Sequence, residues 1–164
     1  MIQDPLSKLY ADVRMPGQNP ICDGCSILAK SKPAHSIMDH GSLHESDVLF
    51  LSDSFRFRLG KHQAFSDKEL ELLLECFPHS AVFSAAVKCP SVKEADMSPA
   101  NMKICRKHLE ATVERVKPKL IFTCGNLSMK MLIKKSGITD KRGKAFSYTT
   151  ESGHFCIVVP IFHP

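Results

Sequence analysis

No run of about eighteen apolar residues occurs in this chain of 164, so nothing in it spans a bilayer as a helix. The opening stretch, Met1 to Arg14, carries two acids and lacks the apolar centre of a secretory signal. Export is therefore not expected, and the chain is assigned to the cytoplasm. Without export, the seven cysteines do not read as a disulfide scaffold, and their odd number leaves at least one unpaired in any case. Internal repeats and low-complexity tracts are missing too, which excludes a repeat array. The net charge of +5 permits a polyanionic partner without requiring one.

An apolar content of 43% is enough for one core, so residues 1–164 are read as a single domain. The first 41 residues are irregular, interrupted by Pro16, Pro20 and Pro33, with room for a short helix around Pro5 to Val13. After them a rhythm sets in. Asp47–Ser52, Ala81–Val87, Leu120–Cys124 and Phe155–Val159 are short continuous apolar runs, the pattern of strands buried on both faces. Between them, Ser66–Phe77 opens with the capping box Ser66/Glu69. Ser98–Val116 opens on a Ser cap and Pro99, and lines one face with Met102, Cys105, Leu109, Val113 and Val116. Gly125 leads into a further helix through Leu127, Met131 and Leu132. Strands alternating with helices imply a three-layer α/β sandwich around a four-stranded parallel sheet. The abrupt stop at Pro164, just after a strand, suggests a shortened chain or one domain of a longer protein.

Four of the cysteines can act together. Cys22 and Cys25 form a metal-binding turn, with Gly24 permitting the tight backbone; Cys89 lies just past the second strand and Cys105 on the long helix. Four thiolates suit zinc or an iron–sulfur cluster, both of which accept soft ligands. Zinc sites favour two tight knuckles, whereas fifteen residues separate Cys89 from Cys105, which favours the larger group. Cys76, Cys124 and Cys156 sit in predicted elements and read as buried hydrophobes.

Val87–Val116 (VKCPSVKEADMSPANMKICRKHLEATVERV) resembles the iron–sulfur branch of the uracil-DNA glycosylase superfamily, often called family four. Members have a Val-Lys-Cys start, a Pro-rich loop, a second cysteine sixteen positions on, and then a long helix. Cys22 and Cys25 match the family's N-terminal Cys-x-x-Cys. Lys119–Gly125 (KLIFTCG), Ile138–Gly143 (ITDKRG) and Phe162-His163-Pro164 are similar to later family segments, the last to the start of a His-Pro-Ser motif. The resemblance implies that fold, with residues 1–41 as a cluster-binding lobe. It also implies a [4Fe–4S] cluster on Cys22, Cys25, Cys89 and Cys105, whose role is structural, because glycosidic hydrolysis needs no redox step.

The same resemblance assigns catalytic roles. Asp53 falls where the family carboxylate orients water, Phe65 lies one residue short of the Phe that stacks on the flipped base, Glu94 aligns with the Asn that reads it, and His163 matches the His that stabilises the departing anion. The chain departs from the pattern in its first loop, Ser52-Asp53-Ser54-Phe55-Arg56, which lacks both glycines and the proline. Arg56 there blocks the close approach that glycine permits. Glu94 lacks the donor of an amide. Phe65 fits a hydrophobic staple before Ser66 equally well. Lys141, Arg142 and Lys144 surround Gly143 as candidate phosphate contacts. The expectation is a catalytically degenerate glycosylase fold that binds DNA, attached to a polymerase or another replication protein. The alternative is an active glycosylase that removes uracil.

Overall fold

The computed structural model describes residues 22, 24–27, 45–58, 61–77, 81–90 and 92–164; the helix expected around Pro5 to Val13 lies outside them. The strands are β1 (Val48–Arg58), β2 (Lys61–Gln63), β3 (Ala81–Pro90), β4 (Leu120–Cys124), β5 (Phe146–Thr149) and β6 (Phe155–Ile161). The helices are α1 (Asp67–Cys76), α2 (Pro99–Val116), α3 (Asn126–Ile133) and the single turn α4 (Ile138–Lys141).

The four expected strands form the parallel part of the sheet, in the order β3-β1-β4-β6. Two strands enlarge it beyond the expected four. Antiparallel β5 extends the edge next to β6, and β2 pairs with the outer half of β1. β5 (FSYT) is short and only partly apolar and β2 (KHQ) is wholly polar, so neither carries the buried-strand pattern.

Successive side chains of β1 point to opposite faces, and both faces are covered. Leu49 and Leu51 join the core beneath α2 and α3, with Leu109, Val113, Leu127 and Met131. Val48 and Phe50 join the core beneath α1, with Leu70, Leu73 and Phe83. In that second core Phe50 stacks on Phe83 and Phe122, with centroids 5.4 and 4.9 Å away. Each such pair adds about 0.5–1.5 kcal/mol beyond its area burial. The three layers are thus α1, the sheet, and α2 with α3. Among the described residues, no helix is long and apolar enough to cross a membrane.

Helix ends follow their sequence signals. Ser66 Oγ accepts from Glu69 N, and Glu69 Oε2 accepts from Ser66 N at 2.6 Å, closing the capping box. Phe65 and Leu70, at N′ and N4, share the core beneath α1 as a hydrophobic staple does. Ser98 caps α2 through Asn101 N at 3.2 Å.

Two expectations need correction. Ser52–Arg56 is no loop: it continues β1, because without glycine or proline nothing turns the chain, and Phe55 is drawn fully into the core. Cys76 is exposed, since it ends α1 on its solvent side.

The chain leaves β1 through α1 to β3 on one flank and later crosses to β4 on the other. Strand order reverses between β1 and β4, and ligands of open α/β sheets bind at the carboxyl ends beside such a switch point.

Candidate active-site crevice and thiol set

Asp53 lies one residue past Ser52, the last position of β1 paired with β4, and Gly125 follows Cys124, the last residue of β4. The two residues meet. Asp53 Oδ1 accepts from Ser128 N at 2.7 Å, satisfying a free amide in the first turn of α3 and facing the positive end of its dipole. Gly125 has φ +133°, and a Cβ there would lie 2.3 Å from Asp53 Oδ1. The carboxylate thus rests on bare glycine backbone.

His163 comes two residues after β6, past the carboxyl end of the strand that pairs with β4. Its ring is held on three sides. Nδ1 lies 3.3 Å from Glu69 Oε1, Arg56 Nη2 lies 3.1 Å from Nε2, and the ring stacks on Phe65 with centroids 5.3 Å apart. Arg56 Nη1 is also 3.5 Å from Glu69 Oε1. A guanidinium only donates, so Nε2 accepts and the proton of the neutral ring sits on Nδ1, facing Glu69. Phe65 is 1% exposed, with His163 on its face and Phe83 edge-on at 5.7 Å. It packs as a staple and core residue.

Glu94 opens a 3₁₀ turn, Glu94–Asp96, between β3 and α2. Its Oε2 accepts from Asn126 Nδ2 at 2.6 Å and its Oε1 from Lys130 Nζ at 3.2 Å. The Asn126 hydrogen bond, followed by Lys130, holds the Glu94 carboxyl below its ordinary pKa. Asn126 Oδ1 in turn accepts from Gly137 N at 3.0 Å, so one amide ties three segments.

The thiol set lies beneath α2. Cys22, Cys25, Cys89 and Cys105 are all buried, and Cys25, Cys89 and Cys105 share one core cluster with Met97. Cys25 N donates to Cys22 O, closing the turn at Gly24, whose φ is +79°. Two contacts dock this turn on α2: Asn101 Nδ2 to Ser26 Oγ at 2.9 Å, and Cys22 Sγ with His108 Nε2 at 3.1 Å. Burial first, then the charges of Cys89, Cys25 and Cys22, push the Cys105 thiol up to about 12. Burial, then Cys25 and Cys22, push Cys89 to about 11. The four expected cysteines therefore lie within electrostatic reach of one another. Lys88, 2% exposed, bonds to Ser84 Oγ at 2.9 Å and acts on Cys105 in the opposite sense, lowering it. Among the described residues, no group of three or more His, Cys, Asp or Glu is placed to hold a metal ion.

The basic trio stands at the end of α4. Arg142 lies over the Phe162 ring, 4.7 Å from its centroid, and Gly143 N donates to Pro160 O, fastening the turn beside β6. Arg142 and Lys144 are exposed and Lys141 half-buried.

Sequence reasoning missed three partners. Arg56 stood out as an obstruction, but nothing in its spacing announced a bond to His163, 107 positions away. Asn126 lies beside Gly125 and gave no signal of its own. Lys88 belongs to the Val-Lys-Cys segment, and only the run before it, apolar but for Ser84, hinted at burial.

A mostly parallel α/β sheet covered by helices on both faces, with the strand order reversing between β1 and β4, defines a fold of the doubly wound kind. The family model described as "Uracil DNA glycosylase superfamily" matches residues 38–164. The chain belongs to the uracil-DNA glycosylase superfamily. No curated protein matches it.

Proposed function

We propose that this chain binds DNA and leaves the N-glycosidic bond intact: a glycosylase fold kept as an accessory of repair or replication. The observation that carries this is the bonding of His163 between Glu69 and Arg56. A leaving uracil anion needs a donor, and an Nε2 that accepts from Arg56 has none to offer. The other three positions agree. Asp53 holds the start of α3, Phe65 is covered by His163, and Glu94 is bound to Asn126 and Lys130. Lys141, Arg142 and Lys144 supply phosphate contacts at the rim. The protein partner we propose is a polymerase or another replication protein.

The same reading places a [4Fe–4S] cluster on Cys22, Cys25, Cys89 and Cys105. The all-thiol donor set suits it, and burial is consistent with a group whose charge is met by the buried ammonium of Lys88. When bound, the cluster would cross-link the N-terminal turn to β3 and α2, beyond the support that Asn101 and His108 already give.

Active uracil excision is the second reading, favoured by Asp53 and His163 both lying on the carboxyl side of the parallel strands. Asp53 would orient water through Oδ2 while Oδ1 keeps Ser128 N, and His163 would have to turn from Arg56.

Uracil-containing single and double strands, assayed for alkali-labile sites and for binding, separate the two. We expect intact strands, with binding that weakens as salt rises by about 0.7 log units per log unit for each phosphate contact on a single strand. Abasic sites formed by the wild type and lost in Asp53→Ala or His163→Ala would establish the enzyme instead.

A further inference from the structure

Away from the crevice, α2 and α3 enclose a cavity of about 400 Å³ whose walls carry four cations, Lys103, Arg106, Lys130 and Lys134, over an apolar floor that includes Met102 and Met131. A second cavity of about 370 Å³ adjoins it, sharing Arg106 and Lys134 and adding Lys135, Phe146 and Tyr148. No carboxylate lines either one. The acids nearby lie outside and fix two of the cations. Glu110 holds Arg106 at 3.0 Å while Arg106 also reaches Leu132 O, and Glu94 holds Lys130 at 3.2 Å. Lys103 and Lys134 are exposed and have no carboxylate partner among the described residues. Lys135 lies over the Phe146 ring, 5.4 Å from its centroid.

We infer that this groove binds single-stranded DNA, with phosphodiesters along the Lys103–Lys134–Lys135 wall and bases on the methionine floor and the Phe146 side. Two hollows, each with room for a base and joined by shared cations, match the alternation of base and phosphate along a strand. A duplex keeps its bases stacked inside and has nothing to place in them. Glu94 links the groove to the crevice, because it bonds both Asn126 and Lys130. A strand leaving the crevice along α3 therefore meets the cations in sequence.

This inference rests on the proposal that the chain binds DNA, and the experiment separates the two. Fluorescence anisotropy with a labelled oligothymidylate, the matching duplex and ATP as competitor is measured for the wild type, K103E/K134E and K103Q/K134Q. Both lysines are exposed, so unfolding curves should coincide. We expect K103E/K134E to bind the single strand at least tenfold more weakly at about 100 mM salt, and K103Q/K134Q to flatten the salt slope by about 1.4. Wild-type binding that neither pair alters overturns the groove and leaves the proposed function standing. A wild type that binds no DNA overturns both. Displacement of the strand by equimolar ATP assigns the cavities to free nucleotides and overturns the strand.

Discussion

Gly125→Ala should destabilise the protein by about 3–5 kcal/mol, a large share of a domain's total stability. Two separate effects add. At φ +133° an L-residue is strained, at about 1–3 kcal/mol. The new methyl would also lie 2.3 Å from Asp53 Oδ1 and 2.5 Å from its Cγ. Asp53 cannot simply swing aside, because its bond to Ser128 N holds the start of α3 and is worth about 1 kcal/mol. Urea unfolding would report the loss as a lower midpoint at unchanged slope. Asp53→Ala alone should lose about 1 kcal/mol, and the double variant less than the sum, since the clash disappears with the carboxylate. A Gly125→Ala loss under about 1 kcal/mol would contradict both the strained φ and the clash, and a loss that Asp53→Ala leaves undiminished would mean that Asp53 does not lie against this turn.

Cys105→Ser should remove the proposed cluster altogether. Protein prepared anaerobically is expected to be brown, with about four irons per chain, and the variant colourless with almost none. Cys156→Ser supplies the control: that thiol is also buried, and pushed up to about 11 by burial alone, yet it lies outside the set of four. It should keep its colour. A colourless anaerobic wild type with stoichiometric zinc would contradict the cluster, as would an iron content that Cys105→Ser leaves unchanged.

The parallel core of the fold was legible because its signals are local and redundant. Leu49, Leu51, Val82 and Ile121 lie in short apolar runs between helix caps, and those runs became the central strands. The family segments pointed to Asp53, which lies just past the part of β1 paired with β4, and to His163, two residues beyond β6. What could not be read is long-range and polar. The continuation of β1 through Arg56 depends on pairing with β2, a strand of three residues too short to announce itself. The bond between Arg56 and His163 joins residues that only the finished sheet brings together, and no periodicity encodes it. Phe65 was ambiguous for the same reason. A staple and a base-stacking ring have one sequence signature, and the position of His163 decides between them. Glu94 read as a lost amide, while its replacement bonds to Asn126 and Lys130 lie 32 and 36 positions downstream.

The hydrogen that His163 carries tests the central claim most directly. Nitrogen-15 spectra of labelled protein distinguish the two neutral ring forms. The account predicts a proton on Nδ1, facing Glu69, and a bare Nε2 accepting from Arg56, with the Nε2 signal moving in Arg56→Gly. A neutral ring protonated on Nε2, unaffected by that substitution, would free the imidazole to donate to a departing base and would contradict it.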